Sequence, residues 1–334
     1  MTYLTEDIVE RYSISHEQLE EFLVSNSIVA EGNIIDENAY QLAIDFFNNG
    51  YLQANSTKNI PKTKIKKESS KLAYQTKDKR ISIEQEDVIT FLKKQPSNSV
   101  DLIITDPAYS GMNQMLKLGK GKIIGKYNDK GDGQKWFDEF HDTQDNYEIF
   151  LNECLRVLKP NRHIYLMFDS YSLLTLGQIV RKVFDVKNIV VWDKMNIGLG
   201  HYFRRRHELI MFASKGKRPL NSKDIPDIWR IKRVTRMKYP TQKPTEIFEM
   251  MLAGSAEKDF VVCDPFLGSG SSAIASIKYD CKFIGCDIAS SSIEIVTERI
   301  KTFLDTKKDN LQSKFMCEDD ITMKKILSKN GTSI

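Results

Sequence analysis

No run of about eighteen apolar residues occurs anywhere in the 334-residue chain, so none of it is expected to cross a bilayer as a helix. The opening stretch, MTYLTEDIVERYS, lacks the basic segment followed by an apolar one that marks a secretory leader, and the expectation is a cytosolic protein. The five cysteines (Cys154, Cys263, Cys281, Cys286, Cys317) show no CxxC spacing. Three of them lie in or beside apolar, strand-like runs, where cysteine acts as a small hydrophobe, so buried reduced thiols are expected and no metal is implied. Internal repeats and long low-complexity tracts are also missing, which leaves an ordinary globular architecture with 41% hydrophobic residues.

Bases are nearly absent from the first 57 residues, where Arg11 alone faces ten acids. The overall charge of +4 therefore conceals an acidic N-terminal part at −9 and a basic remainder at +13. A basic body suits a polyanionic partner. Residues 1 to 54 carry apolar residues at helical spacing (Ile8, Tyr12; Leu19, Phe22, Leu23; Leu42, Phe46, Phe47) and read as a small acidic helical unit for dimerisation or partner binding. Residues 55 to 71, NSTKNIPKTKIKKESSK, read as a solvated basic linker.

From residue 72 onward, short apolar strands alternate with helical segments, the pattern of a parallel sheet covered on both faces. Expected strands are 81–83, 100–105, 163–168, 189–192, 209–212, 260–263 and 283–285. Expected helices are 88–94, 145–158, 173–183, 245–252, 271–277 and 291–303. The fold class is α/β, a doubly wound sheet.

Two strand ends carry chemistry. Strand 100–105 runs directly into Asp106-Pro107-Ala108-Tyr109, beyond the carboxyl end of a strand where ligands bind in open α/β sheets. Strand 260–263 delivers Asp264-Pro265-Phe266-Leu267-Gly268-Ser269-Gly270 and then a helix, whose first amides favour a carboxylate or phosphate. Asp287 ends the next strand, 23 residues after Asp264, where an acid can accept hydrogen bonds from ribose hydroxyls. Together these describe a nucleoside-cofactor pocket. Both ISIEQEDVITFLKK and KFMCEDDITMKKIL read strand, acids, helix, so Asp87 or Asp319 and Asp320 would end a third cofactor strand. Asp87 is favoured because its strand immediately precedes the one leading to Asp106.

In the order Asp106-Pro107-Ala108-Tyr109, Thr241-Gln242-Lys243-Pro244, Phe266-Leu267-Gly268-Ser269-Gly270, the chain resembles the beta group of DNA amino-methyltransferases, over about residues 81–303. That family places a (D/N/S)PP(Y/F) motif before Thr-x-Lys-Pro and FxGxG, a circularly permuted arrangement of a Rossmann-like sheet. The stretch NIGLGHYFRRRHELIMFASKG, residues 196–216, also resembles the family's segment before its recognition insertion. The resemblance implies S-adenosylmethionine as cofactor and methyl transfer to an exocyclic amine of DNA. It implies N6 of adenine in particular, since Asp at the first motif position is the common choice for adenine and Ser for cytosine N4. Cytosine N4 and a catalytically silent DNA-binding module remain the alternatives.

Asp106 and the Pro107 carbonyl would accept the amine's N–H bonds, and Tyr109 would stack on a base flipped from the duplex. The resemblance further implies Asp264 near the methionine amino group, with Pro265, Phe266, Gly268, Ser269 and Gly270 shaping the loop. Asp287 would meet the ribose, Thr241 would cap the helix starting near Pro244, and Lys243 would reach the cofactor carboxylate. Ala108 departs from the family's second proline, which loosens the loop without removing an acceptor. Cytosine C5 methylation is disfavoured, since no cysteine follows a proline.

Double-stranded DNA is the expected partner, with a homodimer and a cognate restriction nuclease as further expectations. Lys117, Lys120, Lys122, Lys126, Lys130 and Lys135, spread among glycines, suit a loop closing over phosphates. Arg204, Arg205, Arg206, Arg218, Arg230, Arg233 and Arg236 suit phosphate clamping and guanine reading, with residues 215–238, in a region of about 196–240, as the target-recognition segment.

Overall fold

The run VDLIIT can sit only where both its faces are covered, and in the computed structural model all six residues of this strand, β5 (Val100–Thr105), are buried. The structure describes residues 2–4, 19, 23, 34–36, 71–107, 144–198, 202–234, 239 and 242–311. The chain divides into two units, Met1–Lys67 and Glu68–Ile334.

The larger unit is built on a nine-stranded sheet, ordered β3-β4-β11-β10-β5-β6-β8-β7-β9. Its strands are β3 (Lys71–Gln75), β4 (Ile81–Gln85), β5, β6 (Leu158–Phe168), β7 (Asp185–Asp193), β8 (His207–Lys215), β9 (Ile228–Arg230), β10 (Val261–Asp264) and β11 (Lys282–Asp287). Strands β4, β11, β10, β5 and β6 are mutually parallel, as the alternation of strands and helices predicts. Three further pairings correct that expectation in part: β8 runs antiparallel to both β6 and β7, and β3 antiparallel to β4, while β7 and β9 are parallel. An apolar run such as LIMFA reads the same in either direction, so periodicity could not fix its orientation. Lys71, assigned to the linker, is the first residue of β3, and β9 is too short to carry a period.

Side chains alternate across the sheet, dividing the core in two. Leu102, Ile104, Val262 and Phe283 face helices α4 (Thr245–Ser255), α5 (Ser271–Lys278) and α6 (Ser290–Thr306). Ile103, Cys263 and Cys286 face α1 (Val88–Lys94), α2 (Gln144–Val157) and α3 (Ser170–Val183). The result is three layers, helices on both faces of the sheet. At the amino end of β5, buried Asp101 accepts from Lys159 (2.8 Å), Arg162 (3.2 Å) and the Val261 amide (3.1 Å), which pins β5 to β6 and β10.

Because β5 leads away to β6 and β10 away to β11 on the other side, the sheet reverses its winding between β5 and β10. A crevice opens outside the carboxyl ends of two such strands, and Asp106 and Asp264 stand there.

The smaller unit contains β1 (Thr2–Leu4) paired antiparallel with β2 (Ile34–Asp36), which corrects the purely helical expectation. Three-residue strands are too short to show alternation. Leu19 and Leu23 are helical and buried, as is Ile35 of β2. The other residues named for this unit, and the lysine-rich linker up to residue 70, lie outside the described residues.

Candidate active site

The tips of β5 and β10 are bonded to each other. Thr105 Oγ1 donates to Asp264 Oδ1 at 2.7 Å, one residue before Asp106. The Phe266 amide donates to the same oxygen at 3.1 Å, and Ser272 Oγ to the other. Asp264 is only 2% exposed. Burial pushes its carboxyl up to about 6, against the pull of these three donors, and the charge of Asp106 adds to the rise. Its oxygens hold the turn together from inside, since a buried carboxylate must find donors.

In the turn, Gly268 (φ 51°) and Gly270 (φ 77°) have left-handed backbones. A Cβ on Gly270 would lie 2.9 Å from a Val296 methyl, so this position needs glycine for space as well as dihedral. Phe266 packs edge-on against Phe150 of α2, with ring centroids 5.4 Å apart. Asp287 accepts from the Gly268 amide (2.9 Å) and the Ala289 amide (2.9 Å), latching the turn to the tip of β11. Burial raises its carboxyl pKa against those bonds. Asp87 caps α1 through Oδ1, which accepts from the Ile89 (3.1 Å) and Thr90 (3.0 Å) amides. Its strand, β4, neighbours β11 and lies three places from β5. Asp319 and Asp320 lie outside the described residues.

A partly buried chain of charges ends on Asp106. Lys243 Nζ binds Asp106 Oδ2 and stands 3.5 Å from Glu208 Oε2, while Glu208 Oε1 accepts from Lys194 Nζ at 3.2 Å. Burial opposes the charge on Lys243, but Asp106 and Glu208 outweigh it and hold the ammonium above its usual range. Burial likewise opposes ionisation of Glu208, and Lys243 and Lys194 outweigh it, holding the carboxyl below its usual range. The structure places Lys243, expected at the cofactor carboxylate, against Asp106 and Glu208. α4 begins after Pro244 with no side-chain cap, and Thr241, Ala108 and Tyr109 lie outside the described residues. Pro107 is buried at the same strand tip.

Comparison with known proteins gives this geometry a lineage. The family described as "DNA methylase" matches residues 100–298, more than half of the chain. The chain belongs to this DNA methylase family. The type II methyltransferase M2.MboI of Moraxella bovis is 29% identical over 262 residues, covering 72% of this chain and 95% of the relative. The DNA adenine methyltransferase YhdJ of Escherichia coli is 27% identical over 253 residues, covering 64% and 80%. Among solved structures, the PvuII DNA methyltransferase, cytosine-N4-specific, superposes with a TM-score of 0.51 at 16% identity, over 80% of this chain and 99% of that one. That likeness is one of fold.

In this methylase a fully buried arginine clamps the glycine turn from behind. Arg299 is 1% exposed on α6; its Nη1 donates to Ser269 O (2.8 Å) and Ser271 Oγ (3.0 Å). Its Nη2 reaches Thr245 Oγ1 (3.1 Å) and Asp309 Oδ2 (2.7 Å), and Nε reaches Asp309 Oδ1 (2.8 Å). Ser271 Oγ in turn donates to the Lys243 carbonyl at 2.7 Å, so the Lys243 segment and the turn move as one piece. Tyr239 covers Gly268, its hydroxyl 3.1 Å from Ser292 Oγ. Burial raises that phenol to about 12.

Sequence reasoning missed Glu208, Arg299 and Tyr239. Arg299 could have been found, because Val296, Arg299, Ile300 and Phe303 follow helical spacing and place a charge on the buried stripe of α6.

Of the expected DNA contacts, Arg204, Arg205 and Arg206 lie exposed at the turn between β7 and β8, and Arg233 is exposed after β9. Lys120, Lys122, Lys126 and Arg236 lie outside the described residues. The expected recognition segment 215–238 includes both core and surface. Trp229, Ile231 and Val234 are buried, and β9 extends the sheet, so much of it is edge structure with arginines on its surface. Burial raises the thiols of Cys154, Cys263 and Cys286 well above their usual range and Cys281 to about 12, so none of these four is poised as a nucleophile.

Proposed function

We propose that this methylase transfers the methyl group of S-adenosylmethionine to N6 of adenine in double-stranded DNA. The observation that carries the reading is the Thr105–Asp264 bond, which holds the Asp106 tip directly beside the glycine turn. The turn suits the cofactor: left-handed glycines at 268 and 270 that turn the backbone sharply, a helix N-terminus at α5 for a carboxylate, and Asp287 for a ribose diol. Asp287 accepts the Gly268 and Ala289 amides and a hydrogen bond from Ser292, three of about four acceptor positions, which leaves one for a ribose hydroxyl. When bound, the cofactor supplies an electrophilic methyl on a sulfonium.

The chain's own residues supply the acceptors. An exocyclic amine is a poor nucleophile because its lone pair is delocalised into the ring. Asp106 and the Pro107 carbonyl, accepting its N–H groups, draw the nitrogen out of conjugation. Lys243 orients the Asp106 carboxylate for this task. Tyr109 is assigned to stacking on the flipped base, and the lysine-rich loop and Arg204 to Arg206 to phosphate contact. Transfer is direct, so no covalent enzyme intermediate forms.

The N-terminal unit, at −9, would repel DNA, and we assign it to protein contact, with a second copy or a cognate restriction nuclease. Relatives named type II methyltransferases support a restriction partner. Modified-base sequencing of DNA from cells expressing the chain tests the reading. Adenine methylated at one recurrent sequence is the expected result; methylcytosine at N4, or unmodified DNA, would overturn it.

A further inference from the structure

Two consecutive aromatic side chains stand in solvent at the turn between β7 and β8: Tyr202 at 83% exposure and Phe203 at 105%. Scattered surface hydrophobics need no explanation, but an adjacent pair followed by Arg204-Arg205-Arg206 is a composite surface, apolar at its tip and cationic at its base.

The register fixes where this tip points. Thr105 pairs with Leu166, Phe168 with Leu209, and Asp193 with His207, so the turn rises from the same sheet end as Asp106. Phe203 is five residues from Glu208, which contacts Lys243 at the catalytic carboxylate. Five extended residues span at most about 17 Å.

The tip is also braced. Arg206 binds Asp193 at 2.6 Å, and Arg205 reaches Asp169, next to the end of β6, at 3.5 Å. Arg204 Nε donates to Gly198 O at 2.9 Å, and the Gly198 amide to Arg205 O at 2.8 Å. A Cβ on Gly198 would strike that carbonyl at 2.9 Å, so glycine permits the close approach. A braced, cationic loop that presents bare aromatic rings at the same sheet end as a base-modifying centre matches one partner, duplex DNA: guanidinium groups meet phosphates and a ring stacks between bases.

We propose that Phe203, flanked by Tyr202, is a wedge that enters the duplex and fills the space left by the flipped target base. The inference rests on the methyl-transfer reading above.

The test compares the parent protein with Phe203→Ala and Phe203→Leu on two duplexes carrying the sequence found methylated in host DNA. One is fully paired; the other has an abasic position opposite the target adenine. Stacking of this kind is worth about 10- to 100-fold, so Phe203→Ala should lose that much kcat/KM on the paired duplex. The loss should shrink to within about threefold on the abasic duplex, where unpairing is already done, and Phe203→Leu should lie between. Parental turnover by Phe203→Ala on paired DNA, an equal loss on both duplexes, or a changed oligomeric state with turnover intact would each overturn the wedge. A parent protein that methylates neither duplex would instead sink the transfer reading on which it rests.

Discussion

Replacing Lys243 by Met removes the charge that joins Asp106 to Glu208 while keeping the side chain's length and most of its apolar stem. At 3.5 Å from Glu208 the ammonium contributes a gross attraction of about 5 kcal/mol at an effective dielectric of about 20. Part of this is offset by desolvation. Deleting one partner of a buried pair costs about 3–5 kcal/mol, and the 13–23% exposure of the three side chains argues for the lower end, about 3 kcal/mol.

At about 2–4 °C per kcal/mol, Tm should fall by about 6–12 °C. Loss of orientation at Asp106 should lower kcat by about 100-fold. Lys243→Arg, which keeps the charge, should recover much of both. The pH sign follows from the two shifts. The pKa of Lys243 is raised in the folded state, so its contribution is complete below the ordinary lysine value and is lost only in strong base. That of Glu208 is depressed, so its contribution is present above the ordinary carboxylate value and fades as pH falls through the folded one. At neutral pH both charges are in place. The assay is single-turnover methyl transfer alongside calorimetric cofactor binding. Parental kcat in Lys243→Met together with a tenfold weaker cofactor would refute the reasoning and return Lys243 to the cofactor carboxylate.

Other substitutions probe the frame around the site. Gly270→Ala meets both a φ of 77° and the Val296 methyl at 2.9 Å, so it should destabilise the fold by about 1–2 kcal/mol and weaken cofactor binding, read by melting and titration calorimetry. Arg299→Met leaves the Asp309 carboxylate, its side chain 3% exposed, without its counter-charge, at a cost of about 3–5 kcal/mol, and the double change Arg299→Met with Asp309→Leu should restore a large part of the lost Tm.

The sheet end that bears the chemistry was legible because its signals are local. Asp87 before VITFLKK marks the start of α1, which spans the expected 88–94, and its Oδ1 makes the capping bonds. Strands β5 and β10 are dense apolar runs ending in acids, so their tips could be read from composition and from the rule for open sheets. The partners of those acids were not legible. Lys243 meets Asp106 across 137 residues, and Glu208 in HELIMF reads as an ordinary charge before a strand. Asp264 looked like a ligand contact because its position in the motif is known, whereas its donors Thr105 and Ser272 come together only when β5, β10 and α5 pack. Orientation of β8 escaped for the related reason that hydrophobic period carries no direction.

The most direct test incubates the purified protein and its Asp106→Ala variant with DNA and S-adenosylmethionine labelled in the methyl group, then separates the nucleosides. The account predicts label in N6-methyladenine with the parent and none with the variant, although both bind the cofactor with similar affinity, because the acceptor of the amine is lost while the glycine turn and Asp287 are untouched. Equal label from the two proteins would contradict it.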